Sequence, residues 1–80
     1  MPKLKVLSGN DVIKIFFLFD FEIASQKGSH LKLSRKTNFG KQVITIPNHN
    51  ELDKGTLKAI INQASRFISE DELYIHFYHK

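Results

Sequence analysis

The sequence predicts an α+β domain: a three-stranded antiparallel sheet with helices on one face, in the order α-β-β-β-α plus a C-terminal helix. Three observations carry this. Apolar residues recur with helical spacing near both ends, at Val12, Ile13, Phe16 and Phe19 and again at Leu57, Ile60, Ile61 and Ala64. Between them lie three short segments that alternate or are β-branched, separated by turn residues. Finally, 80 residues suffice for one small core and one domain, 1–80. Two amphipathic helices can cover one sheet face, and the other face is left to water.

Each element has a local reason. After a tail over 1–7, Ser8 with Asp11 three residues on resembles a capping box and opens the first helix, which Asp20 ends. Ile15, Phe17 and Leu18 widen its apolar stripe, so the helix is expected to be covered on more than one side. Phe21 to Gln26 reads as a first strand, and Lys27-Gly28-Ser29 as a turn in which Gly28 takes a positive φ. His30 to Arg35 alternates cleanly: Leu31 and Leu33 share one face; His30, Lys32 and Ser34 share the other. Residues 36–41 read as a loop, Gln42 to Ile46 as a β-branched third strand ended by Pro47. Asp53 is the N-cap of a second helix over 54–67. Ser69 with Glu72 forms another box, with Glu70, Asp71 and Glu72 at the positive end of a third helix over 70–78. The core is expected over 8–67, with 69–79 as a helical extension.

Composition narrows the function classes. The chain has no cysteine, which removes disulfides, thiolate catalysis and Cys-based zinc sites and fits a reducing cytoplasm. Its longest apolar run, Ile15 to Phe19, is far short of the roughly 20 residues of a membrane span, and no signal-peptide h-region is evident near the start. The expectation is a cytoplasmic protein with no membrane partner. The net charge is +4, which suits an anionic partner. The clustering says more than the total: Lys27, Lys32, Arg35, Lys36 and Lys41 fall between positions 27 and 41, where there is no Asp or Glu.

With the leucines inward, His30 is outward, and Lys32 follows about 6.5–7 Å along the same face. Lys27 sits at the adjoining turn. Such an array can meet the phosphates of a nucleic-acid strand, through contacts that are salt-sensitive and largely blind to sequence. Cleaving RNA without a metal needs a proton taken from the 2′-OH and one given to the leaving 5′-oxygen, with charge stabilised on phosphorus. Histidine can perform either proton step near neutral pH. An exposed strand histidine beside a lysine is equally well a solvated surface residue, and these residues alone leave both readings open.

Three segments in order narrow the choice: "QKGSH" (Gln26 to His30), "ITIPNH" (Ile44 to His49) and "ELDKGTLKAIINQA" (Glu51 to Ala64). With the flanking residues, 9 to 65, they resemble the HicA family of bacterial and archaeal toxins. The resemblance implies a fold similar to double-stranded RNA-binding domains. It also implies a ribosome-independent mRNA endoribonuclease that needs no cofactor or metal and is neutralised by a HicB-like antitoxin. The family's catalytic histidine is that of the Gly-Ser-His motif, here His30. Lys27, Ser29, Lys32, Arg35 and Lys36 become candidates for RNA binding. So do Lys54 and Lys58, at a place where double-stranded RNA-binding domains use lysines. His49 is a second candidate for proton transfer or phosphate contact. The alternative function is a non-catalytic RNA-binding module of the same fold. His76 and His79 read as favourable charges at a helix end rather than a zinc pair. Phe39 packs on the sheet edge or on a partner, or stacks on a base. Asp20, Leu33 and Lys54 depart from the family's usual residues, but none of them removes a group the chemistry needs.

Overall fold

The computed structural model describes residues 3–79. Helix α1 spans Gly9–Phe17, strands β1 Glu22–Lys27, β2 His30–Thr37 and β3 Gly40–Pro47, and helices α2 Lys54–Ala64 and α3 Glu70–Phe77. The strands form one antiparallel sheet in the order β1-β2-β3. The expected α+β architecture is the observed one.

Leu31 and Leu33 of β2 lie opposite Ile46 and Ile44 of β3, and all four are buried on the helix side. They join Val12, Ile13 and Phe16 of α1, Leu57, Ile60 and Ala64 of α2, and Leu73 and Phe77 of α3 in one core cluster. The third helix therefore belongs to this core and is no appendage. Its end is tied back by a segment read from the sequence as a tail: Leu4 bridges Tyr78, the Lys5 N–H donates to the Phe77 carbonyl at 2.8 Å, and the His79 N–H to the Lys3 carbonyl at 2.8 Å.

The helix starts follow the sequence. Ser8 and Asp11 form the reciprocal capping box, Asp53 Oδ1 accepts from the Thr56 N–H at 2.7 Å, and Ser69 Oγ accepts from the Glu72 N–H at 3.3 Å. Hydrogen bonds from Ser8 hold the Asp11 carboxyl below its usual range, and those from Thr56 do the same for Asp53. With depressed folded-state values, both caps stabilise the fold above the ordinary aspartate range and lose that contribution on acidification.

The ends and edges differ from expectation in three places. Helix α1 stops at Phe17, and Phe17 and Leu18 are exposed, so the helix is covered along one side. Its terminus is a Schellman motif: the Phe21 N–H bonds the Phe16 carbonyl, the Asp20 N–H bonds the Phe17 carbonyl, and the Phe16 and Phe21 rings meet edge-on at 5.6 Å. Asp20 fills the left-handed position, φ 70, where glycine is usual. The 36–41 loop is instead mostly ladder, with Lys36 opposite Lys41 and Thr37 opposite Gly40, leaving Asn38 and Phe39 as the tip. Helix α2 ends at Ala64, because the Phe67 and Ile68 N–H groups both turn back to the Ala64 carbonyl.

Arg35 is the main correction. It shares the inner parity of Leu31 and Leu33 and lies opposite Gln42. Its guanidinium donates to Gln42 Oε1 at 2.6 Å, to the Phe19 carbonyl at 2.8 Å and to the Phe67 carbonyl at 3.2 Å, and lies over the Phe21 ring at 4.8 Å. Arg35 pins the end of α1 and the turn after α2 to the sheet. Strand parity turns this RNA-binding candidate toward the helix side, and its guanidinium is taken up by these three acceptors instead of standing on the outer face with Lys32 and Lys36.

Two substitutions test this packing. A Cβ on Gly9 would lie 2.6 Å from Asn48 Cα and 2.8 Å from the Pro47 carbonyl oxygen. Alanine normally favours a helix, yet Gly9→Ala should destabilise the domain by about 1–3 kcal/mol in urea unfolding; an unchanged midpoint would refute the close approach. Asp20→Gly should stabilise it by up to about 1 kcal/mol by relieving the left-handed backbone; a loss of stability would mean the Asp20 side chain has a compensating role.

Candidate functional site on the uncovered sheet face

The strand period that buries Leu31 and Leu33 turns His30, Lys32 and Lys36 to the opposite, solvent-facing side. Across the sheet, His30 is flanked by Lys27 on β1 and Pro47 on β3, and Lys32 by Ser25 and Thr45. Ser25, Lys27, Gly28, His30, Lys32 and Thr45 line one shallow open depression. The structure thus brings three sequence candidates together: His30, Lys27 and Lys32.

The backbone around His30 is held from both sides. Gly28 has φ 60, and Ser29, which follows it, does not share a positive φ. A glycine at the first central position is the pattern of a type II′ hairpin turn, whose twist matches the strands it joins. The Gln26 side-chain amide donates to the Gly28 carbonyl at 3.1 Å across this turn. On the other side the Asn48 N–H donates to the Ser29 carbonyl at 2.6 Å, and the Gly9 N–H donates to the His49 carbonyl at 2.8 Å. The 47–49 segment is therefore clamped between the His30 turn and the start of α1. Neither the Gly9 contact nor the Asn48 bond has a sequence signal beyond the two motifs standing together.

The remaining candidates are distributed differently. Ser29 is exposed at the turn and takes part through its carbonyl. His49 is exposed two residues beyond Pro47, the cross-strand neighbour of His30. Lys36 is exposed farther along the same face of β2. Lys54 is the exposed first residue of α2, next to the Asp53 cap. Lys58 is elsewhere: it borders a separate groove with Ile61, Asn62, Glu70, Leu73, Tyr74 and Tyr78, between α2 and α3. Ser25 and Thr45 were not among the sequence candidates. Strand register supplies them, and it could not be read before the pairing was known.

Elsewhere on the chain, His76 stacks edge-on against Phe19 at 5.5 Å. Among the described residues no three His, Asp or Glu side chains form a metal-binding cluster. No helix among them is long and apolar enough to cross a membrane.

Comparison with known proteins places the chain in a family. A model described as the HicA toxin of bacterial toxin-antitoxin systems matches residues 9–65. No curated protein and no solved structure matched the chain. The matched span runs from the start of α1 through the end of α2 and includes the Gly28-Ser29-His30 turn, the 47–49 clamp and the Asp53 cap. The chain belongs to the HicA toxin family.

Proposed function

We propose that this protein is a metal-independent endoribonuclease that cleaves mRNA on its uncovered sheet face, with His30 as a proton-transfer group. The observation that carries the reading is the shared depression of His30, Lys27 and Lys32 in a chain of this family. In the proposed reaction the 2′-oxygen attacks the adjacent phosphorus and the bond to the 5′-oxygen breaks. The products are a 2′,3′-cyclic phosphate and a 5′-hydroxyl. His30 removes the 2′-proton or protonates the leaving oxygen. His49, Lys32 or water serves the other proton step. Lys27 and Lys32 hold the phosphate and offset the charge that builds on it. Ser29 and Lys54 extend the contact to neighbouring phosphates, Lys36 meets the strand farther along the same face, and Lys58 contributes only to RNA that wraps over α2.

An mRNA substrate places the activity in the cytoplasm. A HicB-like antitoxin would neutralise it by covering His30 and setting acidic groups against Lys27, Lys32, Lys36 and Lys41. Such a complex leaves His30 inaccessible to solvent.

The test is a labelled mRNA incubated in EDTA with the parent and with folded His30→Ala, Lys32→Ala and Lys36→Ala variants. His30→Ala should lose roughly 10²–10⁴-fold in cleavage rate while retaining most of its RNA affinity, since the lysines remain. Each lysine variant should lower the slope of log affinity against log salt by about 0.7. Equal cleavage by His30→Ala would remove the catalytic assignment. Tight binding by the parent with no cleavage would make the domain an RNA-binding module.

A further inference from the structure

The exposed cations of the outer face do not form one patch. Lys27 and Lys32 flank His30. Ser34 follows, with Glu22 across from it on β1 and Val43 on β3. Beyond it, Lys36 and Lys41 stand directly opposite each other. This second pair is six residues from His30 along β2, or about 20 Å, too far to act on a phosphate held there. Like charges directly opposite across two strands cost stability, so the pair is a liability unless an anion lies between them.

Immediately beyond the pair is the hairpin tip. Phe39 there is 100% exposed, on a turn held in one shape. Thr37 Oγ1 accepts from the Phe39 N–H at 3.1 Å and donates to the Gly40 carbonyl at 2.9 Å, and Gly40 takes φ 121. The expectation that Phe39 packs on the sheet edge is not met. A wholly wet phenylalanine on a hydrogen-bonded turn beside two exposed lysines combines a stacking surface with an electrostatic hold on backbone, the two elements by which single-stranded nucleic acid is bound without sequence preference.

We propose that Phe39, Lys36 and Lys41 form a second subsite for single-stranded RNA, in which a base stacks on Phe39 while the lysines hold a neighbouring phosphate. The inference rests on the RNA-cleaving reading of His30 and extends it. The distance from His30 to the tip, about 25 Å at 3.4 Å per residue, corresponds to about four nucleotides of extended strand. The subsite therefore selects unpaired RNA that continues about four nucleotides from the cut, and duplex RNA, whose bases are already stacked, gains nothing there.

The chain has no tryptophan, so Phe39→Trp installs a unique indole reporter at the tip. Unstructured RNAs of one mixed sequence, three to ten nucleotides long, are titrated in EDTA into a non-cleaving His30→Ala parent and into its Phe39→Ala and Phe39→Trp derivatives. The parent and Phe39→Trp should gain affinity once the RNA is long enough to reach the tip, and the indole should be quenched by those longer RNAs. Phe39→Ala should bind the short RNAs as the parent does and lose about 5- to 100-fold on the longer ones. An unquenched indole, or a Phe39→Ala variant that follows the parent at every length, would overturn the proposal and leave the tip as a contact for a protein. The two readings fail separately. Cleavage indifferent to His30 removes the catalytic assignment but not the quench, whereas His30-dependent cleavage with an unquenched indole removes only the subsite.

Discussion

Leu31, Leu33, Ile44 and Ile46 must leave water together, and the two-residue period of a strand then sends their neighbours the other way. Everything distinctive about the domain follows from that constraint. Three helices are enough to cover one face of a three-stranded sheet. Position 30 is therefore wet because position 31 is dry, and Lys32 stands beside His30 because Leu31 and Leu33 are core. A one-residue slip of β2 would bury His30 and Lys32 and expose the leucines, so the hydrophobic cost of misregister protects the site. The far edge is protected as well. The Gln63 side chain of α2 bonds both the N–H and the carbonyl of Thr45, at 3.3 and 3.5 Å, which occupies backbone groups that would otherwise invite another strand.

The helix layer has its own tie. Arg35 takes the inner position after Leu31 and Leu33 and reaches the Phe19 carbonyl in the turn after α1 and the Phe67 carbonyl in the turn after α2. A cation in that place is tolerated because three acceptors and the Phe21 face meet it, so little of its charge is left unsolvated. The same strand thus carries two kinds of basic residue. Lys32 and Lys36 keep their charge outward and available, and Arg35 spends its charge on holding the layers together.

Much of the fold was legible because its signals are local. Capping residues at Ser8, Asp53 and Ser69 marked the helix starts, Gly28 marked the first hairpin, and the alternation around Leu31 set the two faces. The errors came where local signals compete or where partners are distant in sequence. The charge of Arg35 suits the outer face, whereas its parity with Leu31 and Leu33 points inward. Residues 36–41 carry Asn38 and Gly40, which suit a loop, although a two-residue tip suffices once Thr37 pairs with Gly40. The bridge of Leu4 to Tyr78 joins the two ends of the chain and leaves no pattern in either. For the candidate site, the placement of His30, Lys27 and Lys32 on one face was legible from periodicity. Ser25, Thr45 and the Gly9 contact were not, because cross-strand register and helix-to-loop approach exist only in three dimensions.

The central claim is that the uncovered face of the sheet, and not the helix layer, meets RNA. Amide chemical-shift mapping tests it most directly. A His30→Ala protein, which should bind without cutting, is titrated with a short unstructured RNA. The account predicts that the largest shifts fall on Ser25 to Lys32 and on Thr45 to His49, with the α2–α3 groove around Lys58, Leu73 and Tyr74 little changed. Shifts concentrated in that groove, with the residues around position 30 unmoved, would contradict it.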